Sequence, residues 1–452
     1  MTRTVDLPLW LFLLIIAFAA ASFASNFVLP SVRWFFRARV ERAVARLNQR
    51  LDRPIDLFKL AERQDRIARL IYDPKVMEAV AEYAAETGKP VPVVFQQARN
   101  YAREIVPGFS ATLYFGVAIR LARGLSRTLY RVRFGHPDAV LRQIDPQAAL
   151  IFVINHRSNM DYVLVTWLVA RRASLSYAVG EWARVWPLSG MIRAMGAYFI
   201  RRSSSNTLYR RVLARYVQMT TAEGITQAIF PEGGLSLNGR TGAARLGLLN
   251  YIMTGLEVGR DVVFVPVGLA YDRVLEDQVL VQAAVQATRR FRMQPLAITS
   301  GILRVTVKLL LRRFKGFGTA AASFGQPVSL RGYLADHPEA TTEALGRHLM
   351  AAIEAVVPVV PVPLVAAALR MAPCNFAGLV AEVRVLEQAL LQRGAVLKLA
   401  PQGVEATVQE ALDVLQGRHL IGADYQATPG SQPLLDFYAA SILQRLEAAR
   451  LN

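Results

Sequence analysis

From residue 7 to residue 29 the chain is a largely apolar run with no charged side chain, and Leu, Trp, Phe and Ile fill its centre. An apolar helix of about 20 residues spans a bilayer, so this stretch predicts a single-pass transmembrane anchor within residues 1–32. A cleaved signal peptide would have a shorter apolar region with its positive charge in front. Here Arg3 precedes the run, while Arg33, Arg37, Arg39, Arg42, Arg46 and Arg50 follow it. The positive-inside rule then places the body of the protein on the cytoplasmic face of the cell membrane, with Trp34, Phe35 and Phe36 at headgroup level. Residues 33–134 read as a helical region rich in Ala, Leu, Arg, Glu and Gln, as in Leu60–Leu70, interrupted at Pro90, Pro92 and Pro107.

Beyond that region the period changes. Short apolar runs alternate with helical stretches over residues 135–334, with candidate strands at Leu150–Ile154, Ser176–Val179, Gly196–Ile200, Thr226–Phe230, Val262–Val267 and Ala322–Gly325. This alternation predicts an α/β domain whose mixed or largely parallel sheet is layered with helices. Residues 335–452 return to a helical region, with amphipathic patterns over Leu379–Leu391 and Val408–Leu415. In Arg289–Lys315, basic residues interleave with Leu, Ile, Val and Phe. That segment fits a helix lying on an anionic membrane surface, or a surface helix with its apolar face in the core.

Composition narrows the partners. The chain has 452 residues, 53% of them hydrophobic, and a net charge of +19. One anchor plus a globular body fits these values, and the charge favours anionic phospholipid or phosphorylated small molecules. No recognition module accompanies the charge, which argues against nucleic acid. The single cysteine, Cys374, excludes an intrachain disulfide and a thiolate metal cluster.

Directly after the apolar run ending at Ile154 stands Asn-His-Arg-Ser-Asn-Met-Asp-Tyr, residues 155–162. Polar residues at the carboxyl end of a strand occupy the usual place for chemistry in an α/β sheet. If a helix begins near Asp161, its carboxylate reaches the ring of His156, accepts the Nδ1 proton and leaves Nε2 as a general base. No Gly-x-Ser-x-Gly elbow supplies a nucleophile, and Ser158 is too close in sequence to serve. His156 is therefore expected to activate a substrate hydroxyl directly. Metal binding is the competing role, but the chain has no His-Glu-x-x-His spacing. The run Gly234–Thr241 nearly matches a phosphate loop, yet Arg240 replaces the lysine of that motif and Thr241 has no evident metal-binding partner, so an NTPase is rejected.

His-Arg-Ser-Asn-Met-Asp-Tyr resembles the His-x-x-x-x-Asp block of the glycerolipid acyltransferases, and is most similar to their glycerol-3-phosphate acyltransferase branch. Three more blocks follow in that family's order: Gly196–Arg202, Phe230–Arg240 and Val265–Tyr271. The Pro433–Ile442 stretch is similar to the tail of the same branch. The resemblance implies O-acyl transfer from acyl-CoA or acyl carrier protein to a glycerol hydroxyl in phospholipid biosynthesis, with no cofactor and no metal. It implies catalysis by His156 and Asp161. It places Arg157, Ser158, Arg201, Arg202, Glu232, Gly233, Gly234, Arg240, Arg245 and Pro266 around the substrates. Arg201 or Arg202 would clamp phosphate, and Glu232 would meet the glycerol hydroxyls.

One departure bears on the acceptor. The third block usually reads Glu-Gly-x-Arg-Ser-Arg, and this chain has Leu235 and Leu237 at the two arginine positions. Losing two cations should weaken binding of a small dianion unless Arg240 or Arg245 compensates. A lysophosphatidate, which brings an acyl chain, would suffer less, so lysophosphatidate or dihydroxyacetone-phosphate acylation stays open beside glycerol 3-phosphate. A catalytically silent membrane scaffold of the same fold is the alternative from another class.

Overall fold

The apolar run ending at Ile154 is the central strand of the sheet in the computed structural model. The structure describes residues 8–23, 48–49, 51, 53, 55, 59, 62–135, 138–170, 173–180, 188–201, 206–256, 259–286, 307, 310–311, 314, 316–371 and 375–448. Residues 1–54 and 55–452 form two units, each described by itself. In the first, Leu9–Phe23 is a helix of 15 residues. Among the described residues no helix is long and apolar enough to cross a membrane. The rest of the expected anchor and the arginines that follow it lie outside the described residues, as does most of Arg289–Lys315.

The second unit contains β1 (Arg131–Phe134), β2 (Ala149–Ile154), β3 (Ser176–Val179), β4 (Tyr198–Phe199), β5 (Gln227–Ile229), β6 (Val262–Tyr271), β7 (Thr319–Phe324) and β8 (Val328–Ser329). Among the described residues these make one sheet in the order β1-β7-β6-β2-β5-β3-β4, with β8 also on β6. β2 lies parallel to β5 and β6, β5 to β3, and β3 to β4. β6 outruns β2 and pairs antiparallel with β7 and β8. The sheet is therefore mixed and mostly parallel, as its apolar runs predict.

Alternation along β2 explains the layering. Leu150, Phe152 and Ile154 enter a cluster shared with the helices Pro361–Leu369, Phe376–Gln392, Val404–Gly417 and Gln432–Ala448. Ala149, Ile151 and Val153 enter another, shared with Arg63–Ile71, Pro74–Thr87, Val91–Ile105 and Thr207–Ala222. A strand covered on both faces needs a continuous apolar run rather than an alternating one.

The differences from expectation have local causes. Gly196–Ile200 shortens to Tyr198–Phe199 because Gly196 takes φ +88°, a turn rather than a strand. β1 lacks a continuous apolar run because it is an edge strand, whose Arg131 and Arg133 meet Glu410 at 3.1 and 3.0 Å. β8, two residues long, is too short to leave a period.

The end of β6 is held by a buried carboxylate. Asp272 accepts the Thr319 amide at 2.6 Å and the Val362 amide at 2.8 Å, joining β7 and a C-terminal helix to the turn after β6. Burial raises its pKa to about 6, against the pull of those two amides. Asp272→Ala orphans both donors and should cost about 2–5 kcal/mol in urea denaturation. The folded state binds this proton more tightly than the unfolded chain does. The stability gap between the two proteins should therefore widen as pH falls from 7 toward 4.

Candidate active site

The first residue past β2 fixes where the polar octet emerges. Asn155 donates from Nδ2 to the Leu269 carbonyl at 2.9 Å and accepts the Leu269 amide on Oδ1 at 2.7 Å. Its side chain thus imitates a further backbone pair and ties the loop to β6. Five residues on, the helix Met160–Val169 begins, with Asp161 in its first turn, where the helix dipole favours an anion.

Asp161 is fully buried and His156 is 1% exposed. Oδ2 of Asp161 accepts His156 Nδ1 at 2.9 Å, the Arg157 amide at 2.7 Å and the Ser158 amide at 3.0 Å. Oδ1 accepts the Tyr271 hydroxyl at 2.7 Å. Burial, and then Asp161 itself, push the Tyr271 pKa well above its usual value, so that hydroxyl stays a donor. An ionised carboxylate accepts only, so Nδ1 of His156 carries the proton and Nε2 is the basic nitrogen. The imidazole stacks on Phe230 at 4.2 Å between centroids and meets the edge of Tyr162 at 5.6 Å.

The turn after β5 closes on the same histidine. Glu232 accepts the His156 amide on Oε1 at 2.9 Å and the Gly242 amide on Oε2 at 3.1 Å. The Ser236 amide donates to the His156 carbonyl at 2.9 Å. Gly233 has φ +68°, and a Cβ there would stand 2.7 Å from Cγ of Arg245. The Arg245 side chain therefore lies across Gly233. Arg245 is exposed, and its guanidinium has no hydrogen-bonding or ionic partner among the described residues.

The remaining expected site residues take other places. Arg157, nearly buried, turns its guanidinium to the Gly239 carbonyl and to Thr241 Oγ1 at 3.3 Å, pinning the loop after β5. Burial lowers its pKa, opposed by Glu232, Asp161 and Glu354. Ser158 donates to Glu276 at 2.8 Å, and Glu276 also accepts the Asn159 side chain at 3.0 Å. Arg201 makes a bidentate pair with Glu104 at 2.8 and 2.6 Å, and Arg240 one with Glu447 at 2.8 and 3.0 Å. Each pair raises the arginine's pKa. Gly234 is buried in the loop. Pro266 sits inside β6 opposite Val153, and its carbonyl accepts the Gly325 amide at 2.8 Å where β7 gives way to β8. A residue's N–H and C=O point to the same side of a strand, so the donor that proline lacks falls at this break in the ladder. Arg202 lies outside the described residues. Leu235 and Leu237 are half-buried against the apolar cluster that contains Phe230 and Phe437.

Asn155, Phe230, Tyr271 and Glu276 escaped the sequence reading as site residues. Three of them stand inside or at the ends of the quoted motifs, and that position was the available signal. The C-terminal helix Gln432–Ala448 also takes part. Gln444 accepts the Thr241 amide at 2.9 Å and donates to its carbonyl at 3.0 Å. Among the described residues no group of three His, Cys, Asp or Glu side chains is placed to hold a metal.

Two family models match. Residues 136–270 match one described as Acyltransferase, and residues 299–446 one described as Glycerol-3-phosphate acyltransferase C-terminal region. A glycerol-3-phosphate acyltransferase of Pseudoalteromonas atlantica is 27% identical over 61% of this chain and 33% of its own length. That of Pseudomonas entomophila is 26% identical over 81% of this chain and 45% of its own. That of Haemophilus ducreyi is 29% identical over 62% and 34%. The chain thus spans between a third and a half of the length of these relatives. Among solved structures, a 1-acyl-sn-glycerophosphate acyltransferase of Thermotoga maritima aligns with a TM-score of 0.34 at 17% identity, over 64% of this chain and 94% of that one. That alignment is too loose to carry an argument.

The loop after β5 is held by a close approach that only glycine permits. Gly239 has φ +77°, and a Cβ there would fall 1.8 Å from the Phe437 carbonyl oxygen. Gly239→Ala should cost at least about 2 kcal/mol in chemical denaturation. It should also speed hydrogen exchange at Ser236 and Thr241. Unchanged exchange there would mean that the C-terminal helix does not set this loop.

Proposed function

We propose that this chain, which carries the acyltransferase domain and the glycerol-3-phosphate acyltransferase C-terminal region, moves a fatty acyl group from acyl-CoA or acyl carrier protein to a hydroxyl of glycerol 3-phosphate. The observation that carries this reading is the buried His156–Asp161 pair, joined at 2.9 Å, with Nε2 of the histidine left to act on a substrate.

In this mechanism Nε2 takes the proton of the acceptor hydroxyl as its oxygen attacks the thioester carbonyl. Asp161 holds the imidazolium that forms. As the tetrahedral intermediate collapses, the carbon–sulfur bond breaks and the thiolate takes the proton back from Nε2, so charge and protons balance without an acyl-enzyme. Glu232 positions the histidine through its backbone amide rather than touching the acceptor. Arg245 binds the phosphate, because Arg240 and Arg201 already have carboxylate partners. This answers the deficit that Leu235 and Leu237 raise, since the missing charge returns from the start of the next helix. Residues 7–29, with their flanking arginines, support attachment to the cell membrane with the site on the cytoplasmic face.

Lysophosphatidate as the acceptor is favoured by one observation, the apolar packing of Leu235 and Leu237 beside the loop. A panel of acceptors offered with labelled acyl-CoA or acyl carrier protein separates the two readings. Glycerol 3-phosphate should be acylated, and His156→Ala should lower the rate roughly 100-fold or more. Arg245→Ala should raise the KM for glycerol 3-phosphate about 10- to 100-fold, as expected for losing a charge-assisted phosphate contact. Leu235→Arg with Leu237→Arg should not lower that KM. Transfer to lysophosphatidate alone would move the assignment to the second reading, and no transfer to any acceptor would remove both.

A further inference from the structure

A second group of cations gathers at the other end of the sheet. Ser174 leads into β3 and Gly196 into β4, whereas His156 and Glu232 follow β2 and β5. These four strands run parallel, so Ser174 and Gly196 lie at the opposite strand ends from the histidine. There the Lys59 ammonium is buried, donating to the Ser174 carbonyl at 2.8 Å and Oγ at 3.1 Å, and lying 4.6 Å above the Phe109 ring. Gly196 makes room for this arrangement: a Cβ would stand 3.1 Å from Phe109 and 3.2 Å from Lys59.

Three arginines join it. Arg66 is 3% exposed and donates to the Pro107 carbonyl at 2.7 Å, while its Nε has no partner. Arg63 donates to the carbonyls of Val106, at 2.8 Å, and Arg103. Nε of Arg193 is buried without a partner. Arg63 and Arg193 line one open cavity of about 300 Å³, together with Phe109, Ser110 and Gly190. Every hydrogen-bonding partner of these four cations is a carbonyl or a hydroxyl, and none is a carboxylate among the described residues. Neighbouring arginines differ: Arg69 pairs with Glu223 at 2.5 Å and Arg215 with Asp73 at 2.8 Å. Burying cations without a counter-charge is costly. Burial, followed by the nearby Arg66, pushes the Lys59 pKa well below its usual value. Burial lowers Arg63 as well, followed by Arg193, Arg66 and Arg103.

We infer that the cavity between Arg63 and Arg193 binds a phosphate group, at a site separate from the histidine. Planar guanidinium forks suit phosphate oxygens. The phosphate belongs to a soluble monoester or to a phospholipid headgroup. The second source is raised by the helical stretch that starts just beyond Ser110: the π-helix Thr112–Ala118 and the helix Ile119–Leu129 expose Val117, Leu121 and Leu125, with Arg120 and Arg123 also exposed. The inference does not rest on acyl transfer.

The test uses the full chain with His156→Ala and Arg245→Ala, so that the proposed catalytic phosphate contact is absent. Inorganic phosphate, against chloride at equal ionic strength, should raise Tm by about 1–2 °C at tenfold saturation. Flotation with vesicles of phosphatidylglycerol and phosphatidylcholine, against phosphatidylcholine alone, reads the headgroup. Arg63→Gln with Arg193→Gln should weaken binding about tenfold for each guanidinium lost. Loss of the phosphate response identifies a soluble ligand, and loss of vesicle binding alone identifies a lipid. Gly190, whose Cβ would meet open space, offers a second route. Gly190→Glu supplies the missing counter-charge, so it should melt higher than Gly190→Gln and abolish both responses. Absence of both responses in the parent, persistence of both in the double glutamine variant, or equal melting of the two Gly190 variants would overturn the inference.

Discussion

One buried carboxylate organises the candidate active site of this protein. Asp161 gathers the His156 ring, two consecutive backbone amides and the Tyr271 hydroxyl within 3.0 Å. An ion in a dry interior needs such a set of donors to persist, and here each donor comes from a segment that must be correctly placed. The two amides require the tight turn between β2 and the following helix. The hydroxyl requires β6 to run past the end of β2. The ring requires Asn155 to extend the ladder by one residue. A change in any of these reaches the imidazole through the same carboxylate.

Contacts from the loop after β5 to the His156 backbone fix the histidine's position independently of its own side chain. Glu232 takes its amide and Ser236 donates to its carbonyl, so the loops after β2 and β5 are joined at His156. Arg157 joins them again farther out, and the helix Gln432–Ala448 braces the second loop from behind through Gln444. The residues matching the C-terminal family model therefore belong to the architecture of the site. With the loop held this way, Arg245 is brought over Gly233, its guanidinium without a partner among the described residues. The leucines at 235 and 237 can then turn to the core without leaving the loop short of a cation.

Much of this was legible in the sequence, and the reasons are physical. Continuous apolar runs mark strands covered on both faces, which is why β2, β3, β5 and β6 were found at or near their true positions. The edge strand β1 alternates arginine with apolar residues, so its period gave no such signal. The His156–Asp161 contact was readable because five positions across a strand-to-helix turn bring the groups together. The fates of Arg201 and Arg240 were not readable, because their partners, Glu104 and Glu447, stand 97 and 207 positions away. A charge appears available in a sequence until its long-range counter-ion is known. The same limit applies in reverse to Lys59, Arg63, Arg66 and Arg193, whose want of a carboxylate partner among the described residues emerges only when the fold brings them together.

The central claim is that His156 activates the acceptor hydroxyl itself, with no acyl group ever resting on the protein. Initial rates measured while both acyl donor and glycerol 3-phosphate are varied test it most directly. Direct transfer in a ternary complex predicts double-reciprocal lines that intersect. Parallel lines, the signature of a covalent acyl-enzyme, would contradict the account.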